Sequence, residues 1–98
     1  MAEPLSLNPQ AASALYRAVR QFSVMTSPWE TAAWYETKPD EMYDLTLVSE
    51  RVYGTRTEAL TVMAAAGLSD LDEPLTERKL CLPTAGQLRQ IKAVEGAG

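Results

Sequence analysis

Two glycines do most to limit how this chain folds. Gly54 and Gly67 each follow a segment whose apolar residues recur with helical period, and a glycine there ends a helix in the left-handed conformation. The middle of the chain must therefore hold two short helices in succession. Before Gly54, the residues Met42, Leu45, Val48 and Val52 keep that period, Leu47 and Tyr53 widen the apolar face, and Asp40 with Glu41 stand at the positive end of the helix dipole. Between the glycines, Thr55-Arg56-Thr57-Glu58 has the spacing of a capping box. The helix it starts reaches about Ala66 through Leu60, Val62, Met63 and Ala64-Ala65-Ala66, small side chains that let backbones approach closely.

A strand is expected on either side of this pair. Thr31 to Thr37 has aromatic and β-branched character, and Lys38-Pro39-Asp40-Glu41 supplies a turn to end it. Lys79-Leu80-Cys81-Leu82 reads as the second strand, stopped by Pro83, with Lys79 and Cys81 facing opposite Leu80 and Leu82. Ser69 to Thr76 is an acidic loop between the second helix and this strand. Two further helices flank the unit. Asn8 caps the first, Pro9 opens it, and Ala12, Leu15, Tyr16, Val19 and Phe22 form one apolar stripe. Ser23 to Trp29, with its Ser-Pro step, reads as a connector. The last helix starts at a capping box, Thr84-Ala85-Gly86-Gln87, and carries Leu88, Ile91 and Val94. The expected class is α+β, organised as an N-terminal arm over residues 1–30, a βααβ body over 31–84 and a helical tail over 85–98. Met42, Leu45, Val48, Val52, Leu60, Met63, Leu80 and Leu82 are assigned to the core.

Composition narrows the function. At 98 residues the chain suits one domain. A net charge of -4 has the wrong sign for neutralising phosphates, so nucleic acid is not an expected partner. The absence of His removes the commonest general base and zinc ligand, and no phosphate loop, nucleophile elbow or metal-ligand cluster stands in its place. Neither catalysis nor a cofactor is expected. Asp70, Asp72 and Glu73 lack the spacing of an EF-hand and read as a solvated loop. The single cysteine, Cys81, reads as a small apolar strand residue, as expected in a reducing compartment. The longest apolar run, near Val62 to Leu68, is too short to cross a membrane, and the opening Met-Ala-Glu-Pro lacks the basic region of an export signal.

The body resembles a known family. From Ala33 to Thr84 the order of strand, helix, Tyr53-Gly54, helix, loop and a strand ending in Leu80-Cys81-Leu82-Pro83 is similar to the LysM domain. Lys38 to Leu45 stands where LysM domains carry Gly-Asp-Thr, Arg51-Val52-Tyr53-Gly54 resembles the Arg-x-Tyr-Gly that ends the first helix, and Ala64-Ala65-Ala66-Gly67-Leu68 resembles the close of the second. The Tyr-Gly variant resembles LysM-like proteins of phage tails, including the small tail protein X family and baseplate proteins. Sugar-binding LysM domains hold N-acetylglucosamine chains between the first strand-helix loop and the loop before the second strand. Here Pro39 replaces the Gly of that motif, Glu41 its hydroxyl residue, and Ala66 an expected Asn.

The resemblance thus implies a structural component of a phage tail or contractile injection apparatus, an adapter joining tube, hub or sheath to the baseplate. Its partners would be other tail and baseplate proteins in a symmetric assembly, and its location the virion, after synthesis in the bacterial cytoplasm. The stripe of Leu15, Tyr16, Val19 and Phe22, followed by Trp29, is expected to anchor those partners, because large apolar groups dominate interface energy. The alternative is a peptidoglycan-binding module whose groove is formed by Pro39, Asp40, Glu41, Ala66 and Leu68. A third reading, an acidic helical regulator, requires that the Trp34 and Leu82 segments not be strands.

Overall fold

A computed structural model describes residues 9–95. Asn8, read as a helix cap, lies outside the described residues. Helix α1 spans Pro9–Met25, strand β1 Ala33–Glu36, helix α2 Leu45–Tyr53, helix α3 Ala59–Ala66, strand β2 Lys79–Leu82 and helix α4 Ala85–Glu95. The class is α+β. The strands pair antiparallel, Ala33 opposite Leu82, Trp34 opposite Cys81, Tyr35 opposite Leu80 and Glu36 opposite Lys79. Leu80 and Leu82 are buried beneath the sheet while Lys79 is exposed, as the period-2 alternation predicts.

Both helix stops form where the glycines stand. Gly54 takes φ 76° and Gly67 φ 73°. At Gly67 the closure is a full Schellman motif, with Leu68 N–H donating to Met63 O at 3.0 Å and Gly67 N–H to Ala64 O at 3.1 Å. The capping box at Thr84 forms as well. Thr84 N–H donates to Gln87 Oε1 at 2.9 Å, and Gln87 N–H donates to Thr84 Oγ1 at 3.2 Å.

Two helix starts differ from expectation. Pro39–Glu41 is a separate 3₁₀ turn, and α2 begins only at Leu45, where the Asp44 carboxylate accepts from Thr46 N–H at 3.0 Å. Asp44 is therefore the cap, in place of Asp40 and Glu41. Thr55 makes no capping bond, because Arg56–Glu58 forms another 3₁₀ turn. Its role passes to Ser49, whose hydroxyl donates to Thr55 O and accepts from Glu58 N–H at 2.9 Å. A buried side chain from the preceding helix thus replaces a local cap.

The arm and tail are not separate from the body. Leu15, Val19 and Leu88 join Leu45, Val48, Val62, Met63, Leu75, Leu80 and Leu82 in one apolar cluster. The physical reason lies in α3, which is apolar on every side and must be covered all round. The sheet and α2 cover part of it, and α1 packs on the remainder. Of the residues assigned to the core, Leu45, Val48, Met63, Leu80 and Leu82 are buried, whereas Met42, Val52 and Leu60 are only half-buried at its margin. Lys92 Nζ bonds Glu58 Oε2 at 2.6 Å and Gln87 Nε2 donates to Thr31 O at 3.0 Å, which fastens α4 to the body at both ends.

Candidate functional site

The residues expected to anchor a partner divide into three groups. Leu15 and Val19 are 2% and 0% exposed, so they are buried in this chain's own apolar cluster and not against another subunit. Tyr16 is half-buried, and its hydroxyl donates to Leu68 O at 2.8 Å. Phe22 is also half-buried and lines a shallow groove of about 390 Å³ between α1 and α4, together with Ala18, Gln87, Ile91 and Val94. Only Trp29 stands free, at 84% exposure. Sequence reasoning missed its neighbours Val24 and Met25, which are exposed on the last turn of α1. The signal available was the loss of helical period after Phe22, which leaves those apolar side chains on the outer face.

The groove residues do not form an open cleft. Pro39 and Asp40 are exposed, but Glu41, Ala66 and Leu68 are buried at 0%, 7% and 3%. Glu41 turns inward and accepts from three donors: the Tyr35 hydroxyl, Lys38 N–H at 2.6 Å and Arg51 Nη1 at 2.7 Å. Arg51 also grips both oxygens of Asp40, at 3.0 and 2.8 Å. That pairing holds the Asp40 carboxyl below the ordinary aspartate range and raises the Arg51 guanidinium further. Burial, followed by the bond to Glu41, pushes the Tyr35 phenol up. Both carboxylates are thus paired with one arginine, and the turn they sit in is fixed. Leu75 N–H donates to Met42 O at 2.7 Å, tying the loop after β1 to the loop before β2.

The far side of the same region is closed by α1. Arg20 Nη1 donates to Ala65 O at 3.0 Å and Arg78 Nη1 to Ala66 O at 3.0 Å. These cations sit on the free carbonyls at the C-terminus of α3, where the helix dipole favours positive charge. With Tyr16 on Leu68 O, the backbone acceptors of Ala65, Ala66 and Leu68 are engaged from within the chain.

The acidic loop is occupied with its own backbone. Asp70 Oδ1 accepts from Asp72 N–H at 2.8 Å, and Glu73 Oε1 accepts from Ser69 N–H at 2.7 Å. Among the described residues no group of His, Cys, Asp and Glu is placed to hold a metal ion, and no helix is long and apolar enough to cross a membrane. Cys81 is half-buried, and burial pushes its thiol up, away from the reactive thiolate. The segments around Trp34 and Leu82 are strands, which removes the premise of the helical-regulator reading.

Comparison of the chain with protein-family models, curated proteins and solved structures finds no match.

Proposed function

We propose that this protein is a LysM-like structural component of a phage tail or contractile injection apparatus, an adapter that joins tube, hub or sheath to the baseplate through protein contacts. The observation that carries the reading is the inward turn of Glu41. In the resemblance, this position faces sugar; here its carboxylate is buried against Tyr35, Lys38 and Arg51, and the loop becomes a structural part of the body. Supporting it, the chain runs strand, helix, helix, strand from Ala33 to Leu82, and Val24, Met25 and Trp29 remain exposed in a chain whose other large side chains are mostly covered. Exposed apolar groups gathered within one short stretch are the usual mark of a protein contact. In this reading the virion is the site of action, and the contact is made by Val24, Met25 and Trp29, not by Leu15 and Val19.

Mass spectrometry of density-purified particles, fractionated into heads and tails, tests the proposal. The chain is expected to co-purify with tails, and its absence from assembled tails rejects the adapter role. Retention on purified cell wall at moderate salt is the contrary result and would favour the peptidoglycan module.

A further inference from the structure

The two-stranded sheet has two outer edges, and the fold treats them differently. Thr37 N–H donates to Arg78 O at 2.8 Å, which continues the ladder by one step and fixes its phase. Because hydrogen-bonded and non-hydrogen-bonded pairs alternate in an antiparallel ladder, Tyr35 and Ala33 also bond inward across to β2. Trp34 and Glu36 on β1, and Cys81 on β2, therefore point their backbone groups outward. The outer edge of β2 is covered: Ser23 of α1 donates to Cys81 O at 2.6 Å. Among the described residues nothing covers the outer edge of β1, where the main-chain groups of Trp34 and Glu36 have no partner beyond the sheet. Trp34 is itself 37% exposed, and neither a proline nor a bulge within Ala33–Glu36 blunts the edge.

We propose that the open edge of β1 is an interface for a second copy of this chain, the two β1 strands pairing antiparallel about a two-fold axis at Trp34 to give a four-stranded sheet. Two features select a second copy as the occupant. The first is register. Outward-facing residues must pair with outward-facing residues, which leaves two registers that overlap β1 with itself over three residues, one about Trp34 and one about Tyr35, and the register about Trp34 places Ala33 beside Tyr35 in both directions. The second is charge. Carried past the strand ends, the register about Trp34 sets Lys38, two residues after one strand, against Glu30, three residues before the other, and does so twice because the interface is isologous. Both side chains are exposed. In a chain of net charge -4 this edge is locally balanced, Glu30 and Glu36 against Lys38 and Lys79, and the acidic excess around Asp70, Asp72 and Glu73 belongs to a different loop. The inference does not depend on the tail reading.

The test uses the full chain. Sedimentation velocity over concentrations up to about 1 mM, where weak association registers, should show conversion from the 10.8 kDa chain to a species of twice that mass. Lys38→Glu or Glu30→Lys alone should weaken the dimer several-fold, and the two together in one chain should restore it. Trp34→Cys, made with Cys81→Ser to prevent an internal bridge, should give an inter-chain disulfide under mild oxidation, since Cα atoms of a hydrogen-bonded pair stand ~5.5 Å apart, within disulfide range. Circular dichroism confirms that each variant is folded. A chain that stays monomeric throughout, a dimer that the double exchange does not restore, or a folded cysteine variant that does not cross-link overturns the proposal.

Discussion

Leu15→Ala decides whether α1 is part of the fold or a detachable arm. Leu15 is 2% exposed within the common apolar cluster. The substitution removes three carbons, about 2.4 kcal/mol of transfer free energy at ~0.8 kcal/mol per carbon. The space left between α1 and α3 adds a cavity cost, because Leu15 sits against an alanine-rich helix whose short side chains cannot move in to fill it. A total of about 3 kcal/mol follows, a large share of the roughly 5 to 15 kcal/mol that stabilises an ordinary domain. Urea unfolding followed by far-UV circular dichroism reads this directly, and the melting temperature should fall by about 12 to 24 °C. Should Leu15→Ala unfold with the parent's midpoint while failing to assemble with partners, the stripe on α1 would be an external anchor and the packing described above would be refuted.

Further outcomes follow from the same contacts. Gly67→Ala should cost about 2 kcal/mol in chemical denaturation, since the left-handed backbone at φ 73° strains an alanine and the added Cβ, 2.9 Å from Arg20 Cζ, would push the guanidinium off its bond to Ala65 O. Gly54→Ala, with φ 76° and open space around it, should cost only the backbone share, about 1 kcal/mol; equal losses at the two sites would deny the Arg20 contact. Arg51→Met should lower the urea midpoint, because it leaves the buried Glu41 charge without its cation, and adding Glu41→Gln should recover part of the loss by removing the stranded charge. Acidification should also weaken the fold. The carboxyls of Asp40, bonded to Arg51, and Asp44, bonded to Thr46, have lowered pKa values. Their contribution is present above the unfolded value near ~3.9 and is lost as pH falls through the lower folded values. Thermal melts between about pH 6 and pH 2 should show this decline, flattened in Asp44→Asn.

The surface left for partners differs from the one the hydrophobic pattern suggests. An amphipathic stripe states that a face is to be buried; it does not state against what. For α1 the answer is α3, whose run from Ala59 to Ala66 is apolar on all sides and would otherwise be bare on its outer flank. Removing Leu15 and Val19 from the partner surface leaves Val24, Met25 and Trp29 exposed within one stretch, together with the open edge of β1, while Tyr43, Leu71 and Val94 are exposed elsewhere in the chain.

What could be read from the chain alone was whatever is decided between residues a few positions apart. The left-handed stops at Gly54 and Gly67, the Thr84–Gln87 capping box and the alternation along Lys79–Leu82 all formed, since each is settled by sterics or hydrogen bonds inside one turn or one strand. Tertiary structure decided the points where a distant group outbid the local one. Ser49 replaced Thr55 as the partner of Glu58 N–H, and Asp44 rather than Asp40 capped α2 because Arg51 held Asp40 in the preceding turn. Glu41, which local rules would leave in water at a helix start, was drawn inside by three donors brought from β1, the turn and α2. Burial of a charge depends on partners assembled from separate elements, and short-range pattern carries no record of them.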